Sequence, residues 1–129
     1  MSKSVTTAAV LLFSATLVLS TKLTAAEPQA PWTHPDVLLA AVNIGMTEEQ
    51  QPQFREALAE FLQGFSADVR KLMRANNQTD LPRKIERKRN RRVSTMDKHM
   101  STFLDSTQYA AYETYRDSLL EKMDEAAGA

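Results

Sequence analysis

A short motif that occurs twice constrains the fold of this chain more than any other feature. The sequence Met-Thr-Glu-Glu-Gln at residues 46–50 has a near copy, Leu-Asp-Ser-Thr-Gln, at residues 104–108, and an aromatic residue follows each Gln by four positions. In each copy an apolar residue precedes a helix N-cap, Thr47 or Asp105, whose side chain can accept a hydrogen bond from the first turn. The Gln three positions later can accept one from the N–H of the cap, which completes a capping box. The repeat therefore predicts the starts of two helices.

The two boxes also suggest a link between the repeats. The positions that define them are Met46, Thr47, Gln50, Leu104, Asp105 and Gln108. Boxes at the heads of two helices of one hairpin would set the angles at which the chain enters both. One hypothesis is that Gln50 and Gln108 hydrogen-bond across to the opposite repeat. The alternative is that each box is only a good helix start.

Apolar residues recur at the helical period along most of the chain. After Thr47 they fall at steps of three or four residues, which is the spacing of one helix face. The residues of this stripe are Phe54, Leu58, Phe61, Phe65, Val69 and Leu72. A later stripe consists of Ile85, Val93, Met96, Met100 and Phe103, with Arg89 and Arg92 where apolar contacts would fall. Strand-like alternation is absent, so the chain is predicted to be all-α.

Start and stop signals divide this pattern into one short and three long helices. They are expected from about Asp36 to Asn43, from after Thr47 to about Arg74, from after Asp80 to Phe103 or Leu104, and from Ser106 to the C-terminus. Gly45 is placed to end the first, and Asp80 to cap the third, with Pro82 in its first turn. The tyrosines of the last helix, Tyr109, Tyr112 and Tyr115, should pack against the second helix. Long helices with short connections run antiparallel, which predicts a helical hairpin.

Residues 1–26 are predicted to be a cleavable secretory signal rather than part of the fold. Lys3 gives a positive start, residues 5–19 form an apolar run, and residues 24–26 offer small side chains for cleavage before Glu27. An uncleaved anchor helix is the alternative, although the run is shorter than the roughly 20 residues that a membrane span needs. The proline-rich residues 27–35 are expected to be extended, and residues 36–129 to form a single helical domain. No Cys is present, so no disulfide framework supports it.

The positive charge of the chain is concentrated in the third predicted helix. Between Arg83 and Lys98 eight basic residues stand against two acidic ones, a local net charge of +6, whereas the whole chain is neutral. Such a run is commonly a solvated helix face, and otherwise a surface for a protein partner or an acidic membrane. Nucleic acid is not expected, because the chain is predicted to be exported and no aromatic residues interleave with the basic ones.

Residues that bind metals or catalyse reactions are scarce. There is no Cys, only two His residues occur, and neither a Gly-rich phosphate loop nor an HExxH motif is present. His99 adjoins Met100, and Met96 lies one turn earlier, so His99 and Met100 are weak candidates for a soft-metal site that would be short of ligands. The methionines are more simply explained as core residues. We therefore expect no enzyme activity, no cofactor and no preformed metal site.

In these features the chain resembles the Spy/CpxP group of periplasmic proteins. The resemblance covers most of residues 36–123 and rests on the signal, the all-helical mature part without Cys, and two boxes of the form Leu-Thr-x-x-Gln. Met46 replaces Leu in the first box, and Asp105 replaces Thr in the second. The resemblance implies a periplasmic protein with a bent four-helix protomer and an antiparallel, cradle-like homodimer. It also implies an ATP-independent chaperone with a basic concave face, or an inhibitory subunit of a sensor kinase; metal-responsive proteins belong to the same group.

The leading hypothesis is therefore a chaperone that binds unfolded or stressed envelope proteins. Long basic side chains combine a charged head with an apolar stem, and methionines adapt to varied partners. The residues expected to form the surface are Arg83, Lys84, Arg87, Lys88, Arg91 and Arg92 for charge, and Ile85, Met96, Met100 and Phe65 for apolar contact. The alternatives are an envelope-stress modulator that docks on the periplasmic domain of a sensor kinase, and a helical structural protein without clients.

Overall fold

Four α-helices and one turn of 3-10 helix make up the computed structural model, which describes residues 30–75 and 79–128. The 3-10 turn is Pro31–Thr33, and the helices are α1 (Pro35–Asn43), α2 (Gln50–Arg74), α3 (Leu81–Ser101) and α4 (Ser106–Gly128). These residues contain no β-strand, so the predicted all-α fold of one short and three long helices is confirmed. None of the four helices is long and apolar enough to cross a membrane. The predicted signal, residues 1–26, lies outside the described residues.

Residues 30–35 do not form the extended lead-in expected from their prolines. Pro31–Thr33 closes a 3-10 turn, in which the Thr33 N–H donates to the Ala30 carbonyl at 3.0 Å. α1 then begins at Pro35, and His34 Nδ1 accepts a hydrogen bond from the Asp36 N–H at 3.1 Å. Proline fits both starts because its ring fixes φ near the helical value, and the first N–H groups of a helix have no partner within it.

The ends of the helices follow the predicted signals, with two corrections at α3. Gly45 follows α1 with a φ of +71°, as expected for a glycine that ends a helix. Asp80 precedes α3 in the left-handed conformation and makes no side-chain cap bond, although its carbonyl accepts the first helical bond, from the Lys84 N–H. α3 ends at Ser101, short of Phe103, because the chain tightens there: the Thr102 N–H bonds to carbonyls of the last turn.

The three long helices pack side by side in alternating directions. α2 and α3 form the predicted antiparallel hairpin, joined by contacts along their length. α4 runs antiparallel to α3, so Asp124 near its end contacts Arg89 near the start of α3. α2 and α4 are therefore parallel, and the rings of Phe54 and Tyr115 meet edge to face with centroids 5.1 Å apart. That contact confirms the predicted packing against α2 for Tyr115, whereas the Tyr112 hydroxyl bonds Asp97 on α3. α1 packs against α4.

The buried core lies in the half of the molecule that contains the boxes. Its residues are Val37, Ile44, Phe54, Ala57, Phe61, Met96, Met100, Leu104, Tyr112, Tyr115 and Leu119. Toward the connection between α2 and α3, no described residue beyond Phe61, Met96 and Leu119 is fully buried. The two halves of the helical hairpin therefore differ: one is closely packed, and the other is held by partly buried side chains and ion pairs.

Candidate functional site: the box junction and the basic tip

Both boxes form the capping pattern that their sequences predict. The Gln50 N–H donates to Thr47 Oγ1 at 3.3 Å, and the Thr47 N–H donates to Gln50 Oε1 at 2.9 Å. The Gln108 N–H donates to Asp105 Oδ1 at 2.8 Å, and the Asp105 N–H donates to Gln108 Oε1 at 3.0 Å. Asp serves in place of Thr because both side chains present an oxygen acceptor at the cap. In the first box the Gln50 and Gln51 N–H groups also reach the Thr47 carbonyl, so regular α2 begins at Gln50.

The two box glutamines also bind each other, as hypothesised from the sequence. Gln50 Nε2 donates to Gln108 Oε1 at 3.0 Å, and Gln108 Nε2 donates to Gln50 Oε1 at 2.9 Å. Each amide also donates to the opposite loop: Gln50 Nε2 to the Phe103 carbonyl at 2.8 Å, and Gln108 Nε2 to the Gly45 carbonyl at 3.1 Å. Gly45 and Phe103 are equivalent positions, each two residues before a cap, so the bonding is reciprocal. Residues 45–50 and 103–108 are called the box junction below.

Every polar position of both amides is used at the box junction. A glutamine amide has two N–H donors and an oxygen that accepts two hydrogen bonds, and Gln50 and Gln108 each make four such bonds. A change at either position would leave groups unsatisfied in a partly buried site, at about 1–3 kcal/mol for each group. The box junction therefore fixes where α2 and α4 start relative to each other. We assign it a structural role, because its amide and carbonyl groups are engaged in joining the two repeats.

A second polar link joins α3 to α4. Tyr112 is fully buried, and its hydroxyl donates to Asp97 Oδ1 at 2.7 Å. Arg116 donates to the other oxygen of Asp97 at 3.2 Å. Burial, and then the hydrogen bond to Asp97, raise the pKa of the Tyr112 phenol, so the hydroxyl stays protonated and continues to donate. This geometry gives Tyr112 a structural role.

The two arginines that interrupt the apolar stripe of α3 face neighbouring helices. Arg92 Nε and Nη2 donate to both carboxylate oxygens of Asp68 on α2, at 2.8 and 3.0 Å. These hydrogen bonds lower the pKa of the Asp68 carboxyl. Gly64 leaves room for them, because a Cβ at this position would lie 2.7 Å from the guanidinium carbon of Arg92. Arg89 pairs with Asp124 on α4. Arg92, expected among the binding cations, is therefore engaged in holding the hairpin together.

The other cations of α3 form a stripe at the far end of the hairpin. Its exposed members on α3 are Arg83, Arg87 and Arg91, with Lys84 and Lys88 half-buried beside them. Arg70, Lys71 and Arg74 at the end of α2 are exposed at the same end of the hairpin. Residues 68–92 carry ten basic and three acidic residues, a net charge of +7. We call this region the basic tip. The contribution of α2 was missed in the sequence, because only the antiparallel hairpin brings its last turns beside the first turns of α3.

Two of the four residues expected to supply apolar contact are not on the surface. Met96 and Met100 are 2% and 0% exposed and lie in the core, so the expectation that they contact partners is wrong. Their positions on the apolar stripe of α3 turn them toward the other helices. Phe65 and Ile85 are only partly buried and line a cavity of about 600 Å³ between α2, the start of α3 and the end of α4. This cavity is called the tip groove below.

The weak metal candidates do not form a site. His99 Nδ1 lies 3.7 Å from Glu60 on α2, whereas Met100 is fully buried in the core. Adjacent residues on a helix point in different directions, so the two side chains do not converge. No group of three or more His, Cys, Asp or Glu among residues 30–75 and 79–128 is placed to hold a metal ion.

No family model, curated protein or solved structure matches this chain. Its function is therefore inferred from the residues and their geometry.

Proposed function

We propose that this protein is an exported, periplasmic, ATP-independent chaperone, similar to the Spy/CpxP group, that binds unfolded or stressed envelope proteins at its basic tip. The observation that carries the proposal is the basic tip itself. Exposed cations from α2 and α3 cluster at one end of the hairpin, in the half of the molecule where no described residue is fully buried, and an apolar groove opens at the same end. The box junction at the opposite end supports the proposal by supplying a rigid base for the hairpin.

An unfolded polypeptide carries the groups that such a surface can hold. Clustered cations attract acidic segments and speed their encounter with the protein. The attraction weakens with salt, because the Debye length falls from about 10 Å at 0.1 M to about 3 Å at 1 M. The apolar stems of the exposed arginines can then cover apolar segments, and the groove lined by Phe65 and Ile85 offers a second apolar contact. Unspecific binding of this kind needs no nucleotide and no catalytic group.

Self-association into a homodimer is the second part of the proposal. Of the five large apolar side chains that are strongly exposed in the described part of the chain, four lie close in sequence: Trp32, Leu38, Leu39 and Val42, at 42–74% exposure. A clustered apolar surface commonly marks an interface. In a dimer with two-fold symmetry, the same patch on each copy would cover the other. These four residues are called the α1 patch.

Suppression of client aggregation tests the chaperone proposal. Protein lacking residues 1–26 is mixed at equal concentration with a thermally denaturing client, and light scattering is followed without ATP. We expect suppression by the wild type that weakens at high salt and in the double variant Arg87→Gln/Arg91→Gln. Arg55→Gln/Lys98→Gln is the matched control, because it removes two exposed cations outside the basic tip and should suppress like the wild type. An inactive wild type would contradict the proposal.

The sensor-kinase alternative predicts a different set of partners. A modulator binds one saturable partner, whereas a chaperone contacts many unfolded proteins. Crosslinking of the protein in periplasm, under a stress that unfolds envelope proteins, separates the two. Many crosslinked proteins would support the chaperone, and one dominant partner would support the modulator instead.

A further inference from the structure

The tip groove has the size and composition of a ligand site. Its volume of about 600 Å³ falls within the range of small-molecule pockets. Three helices contribute apolar side chains to it: Phe65 from α2, Leu81 and Ile85 from α3, and Met123 from α4. An apolar side chain of a partner would find contacts there on several sides.

Arg89 places a cation in the wall of the tip groove with one donor unused. Its side chain is 22% exposed and pairs with Asp124, which is itself 63% exposed. The Nε of Arg89 is buried and has no hydrogen-bond partner. An unmade hydrogen bond at a buried donor costs about 1–3 kcal/mol, and a carboxylate matches the guanidinium geometry with two parallel bonds. The Nε is closed to solvent, so a ligand carboxylate would reach Arg89 through the Nη1 that contacts the exposed Asp124, in exchange for that carboxylate.

The charge around the tip groove favours one sign of charge on the ligand. Two acids line it, Asp124 and Glu86. Asp124 is paired with Arg89, and Glu86 stands one turn from Arg83 and from Arg89 on the same helix. The groove opens at the end of the hairpin whose residues 68–92 have a net charge of +7, and this charge attracts acidic segments at long range. An approaching segment is therefore favoured when it is acidic, and it is held when it also carries an apolar side chain.

We propose that the tip groove binds an extended stretch of polypeptide in which an apolar side chain stands beside Asp or Glu. The apolar side chain fills the space between Phe65, Ile85 and Met123, and the neighbouring carboxylate displaces Asp124 from Arg89. This inference rests on the proposed function and deepens it, because it names the sequence class of the client. It predicts a preference for acidic and apolar segments over segments that are only apolar or only acidic.

Binding of matched synthetic peptides tests this inference. The probe is a fluorescein-labelled peptide with alternating Leu and Asp, and its two controls replace every Asp by Asn or every Leu by Ser. Fluorescence anisotropy with the protein lacking residues 1–26 should show at least tenfold tighter binding of the Leu/Asp peptide than of either control. Equal affinity for the Asn control would overturn the role of the carboxylate, and equal affinity for the Ser control would overturn the role of the groove.

Two substitutions with opposite expected effects on peptide affinity locate the site. Arg89→Met should weaken the Leu/Asp peptide about tenfold, as expected for loss of about 1.4 kcal/mol, and should leave the Asn control unchanged. Asp124→Asn should tighten the Leu/Asp peptide severalfold, because it removes the competing carboxylate, and misfolding cannot produce this gain. Arg55→Gln removes one exposed cation at the far end and should have little effect. No gain in Asp124→Asn, or equal losses in Arg89→Met and Arg55→Gln, would overturn the proposal.

The outcome separates this inference from the proposed function. A wild type that suppresses client aggregation but does not prefer the Leu/Asp peptide would keep the chaperone and overturn the groove as its site. A wild type that binds the Leu/Asp peptide as expected but suppresses no aggregation would keep the groove and contradict the chaperone. If Phe65→Ser abolishes self-association in sedimentation, a second copy of the chain occupies the groove, and the inference is overturned.

Discussion

Gln50 and Gln108 are the side chains that join the two repeats of the chain. Each closes its own capping box, binds the other amide, and reaches a loop carbonyl of the opposite repeat. The capping half of this arrangement was predictable, because it depends on residues three positions apart. The link between the amides could be hypothesised from the repeat. The carbonyl partners, at Gly45 and Phe103, could not be predicted, because they depend on how closely two loops approach in three dimensions.

Replacing Gln50 or Gln108 by Ala should lower the free energy of unfolding by about 2–3 kcal/mol, because each change removes several hydrogen bonds worth about 1 kcal/mol. The double substitution should cost about 1–2 kcal/mol less than the sum, since either single change already breaks the shared amide pair. Chemical denaturation of the four proteins measures both quantities. Gln53→Ala is the control: this exposed glutamine donates only weakly, to the Glu49 carbonyl at 3.4 Å, and its loss should stay within about 0.5 kcal/mol. Strictly additive losses at Gln50 and Gln108 would contradict direct coupling.

Asp68 should make the stability of the protein depend on pH in acid. Hydrogen bonds from Arg92 hold the pKa of the Asp68 carboxyl in the folded protein below 3.8, its value without such a partner. The stabilising contribution is therefore complete above about pH 4 and is lost as the pH falls through the lowered folded-state pKa. Wild type should be more stable than Asp68→Asn at neutral pH, and the difference should shrink in acid. Urea denaturation over a pH series measures it; a difference that stays constant down to about pH 2 would contradict this assignment.

At the scale of helices, the sequence predicted where helices begin and end better than it predicted which residues meet between helices. Periodic apolar residues and caps gave the end of α2 at Arg74 and the start of α4 at Ser106. The predictions that failed concern tertiary placement or backbone conformation. Met96 and Met100 were expected on a surface and lie in the core, and Asp80 takes a left-handed conformation and makes no side-chain cap bond. Partners on other helices, such as Asp68 for Arg92, carry no signal in the sequence of α3 itself.

Substitution of Gly64, in the middle of α2, tests whether this residue makes room for the ion pair between Arg92 and Asp68. Ala at an interior helix position gains up to about 1 kcal/mol over Gly from helix propensity. Here its Cβ would meet the Arg92 guanidinium at 2.7 Å and push it away from Asp68. We expect Gly64→Ala to raise the free energy of unfolding by much less than this in the wild-type background. In an Arg92→Ala background it should raise it by the full amount. Equal effects in the two backgrounds, measured by urea denaturation, would show that Gly64 does not serve the Arg92 contact.

The whole molecule has two unlike ends. The box junction and the buried core occupy one, and the basic tip with its groove occupies the other, about 38 Å away along the 25 residues of α2. The tip region is flanked in sequence by acidic segments: residues 30–67 and 93–128 each carry a net charge of −4. The all-α class and the basic helix were predictable from composition and period. The separation of a rigid end from a charged, loosely packed end could not be predicted, because it depends on how the helices pack in three dimensions.

Self-association should depend on the α1 patch. Leu39→Ser/Val42→Ser removes two of its exposed side chains, and these contribute little to the core. Sedimentation equilibrium should show a dimer for the wild type and a shift toward monomer for the double variant. Met73→Ser is the control, because it removes an exposed apolar side chain near the C-terminal end of α2, outside the α1 patch. A wild type that remains monomeric at high micromolar concentration would contradict the dimer and the cradle-like shape that the resemblance implies.

Unfolded polypeptide should bind at the basic tip, and amide NMR shifts of the protein test this most directly. Protein lacking residues 1–26 is titrated with a permanently unfolded client, and shift changes are mapped along the chain. We predict that changes concentrate in residues 65–74 and 81–92, weaken with added salt, and spare the box junction. Changes concentrated at the box junction or the α1 patch, or no changes at all, would contradict the claim.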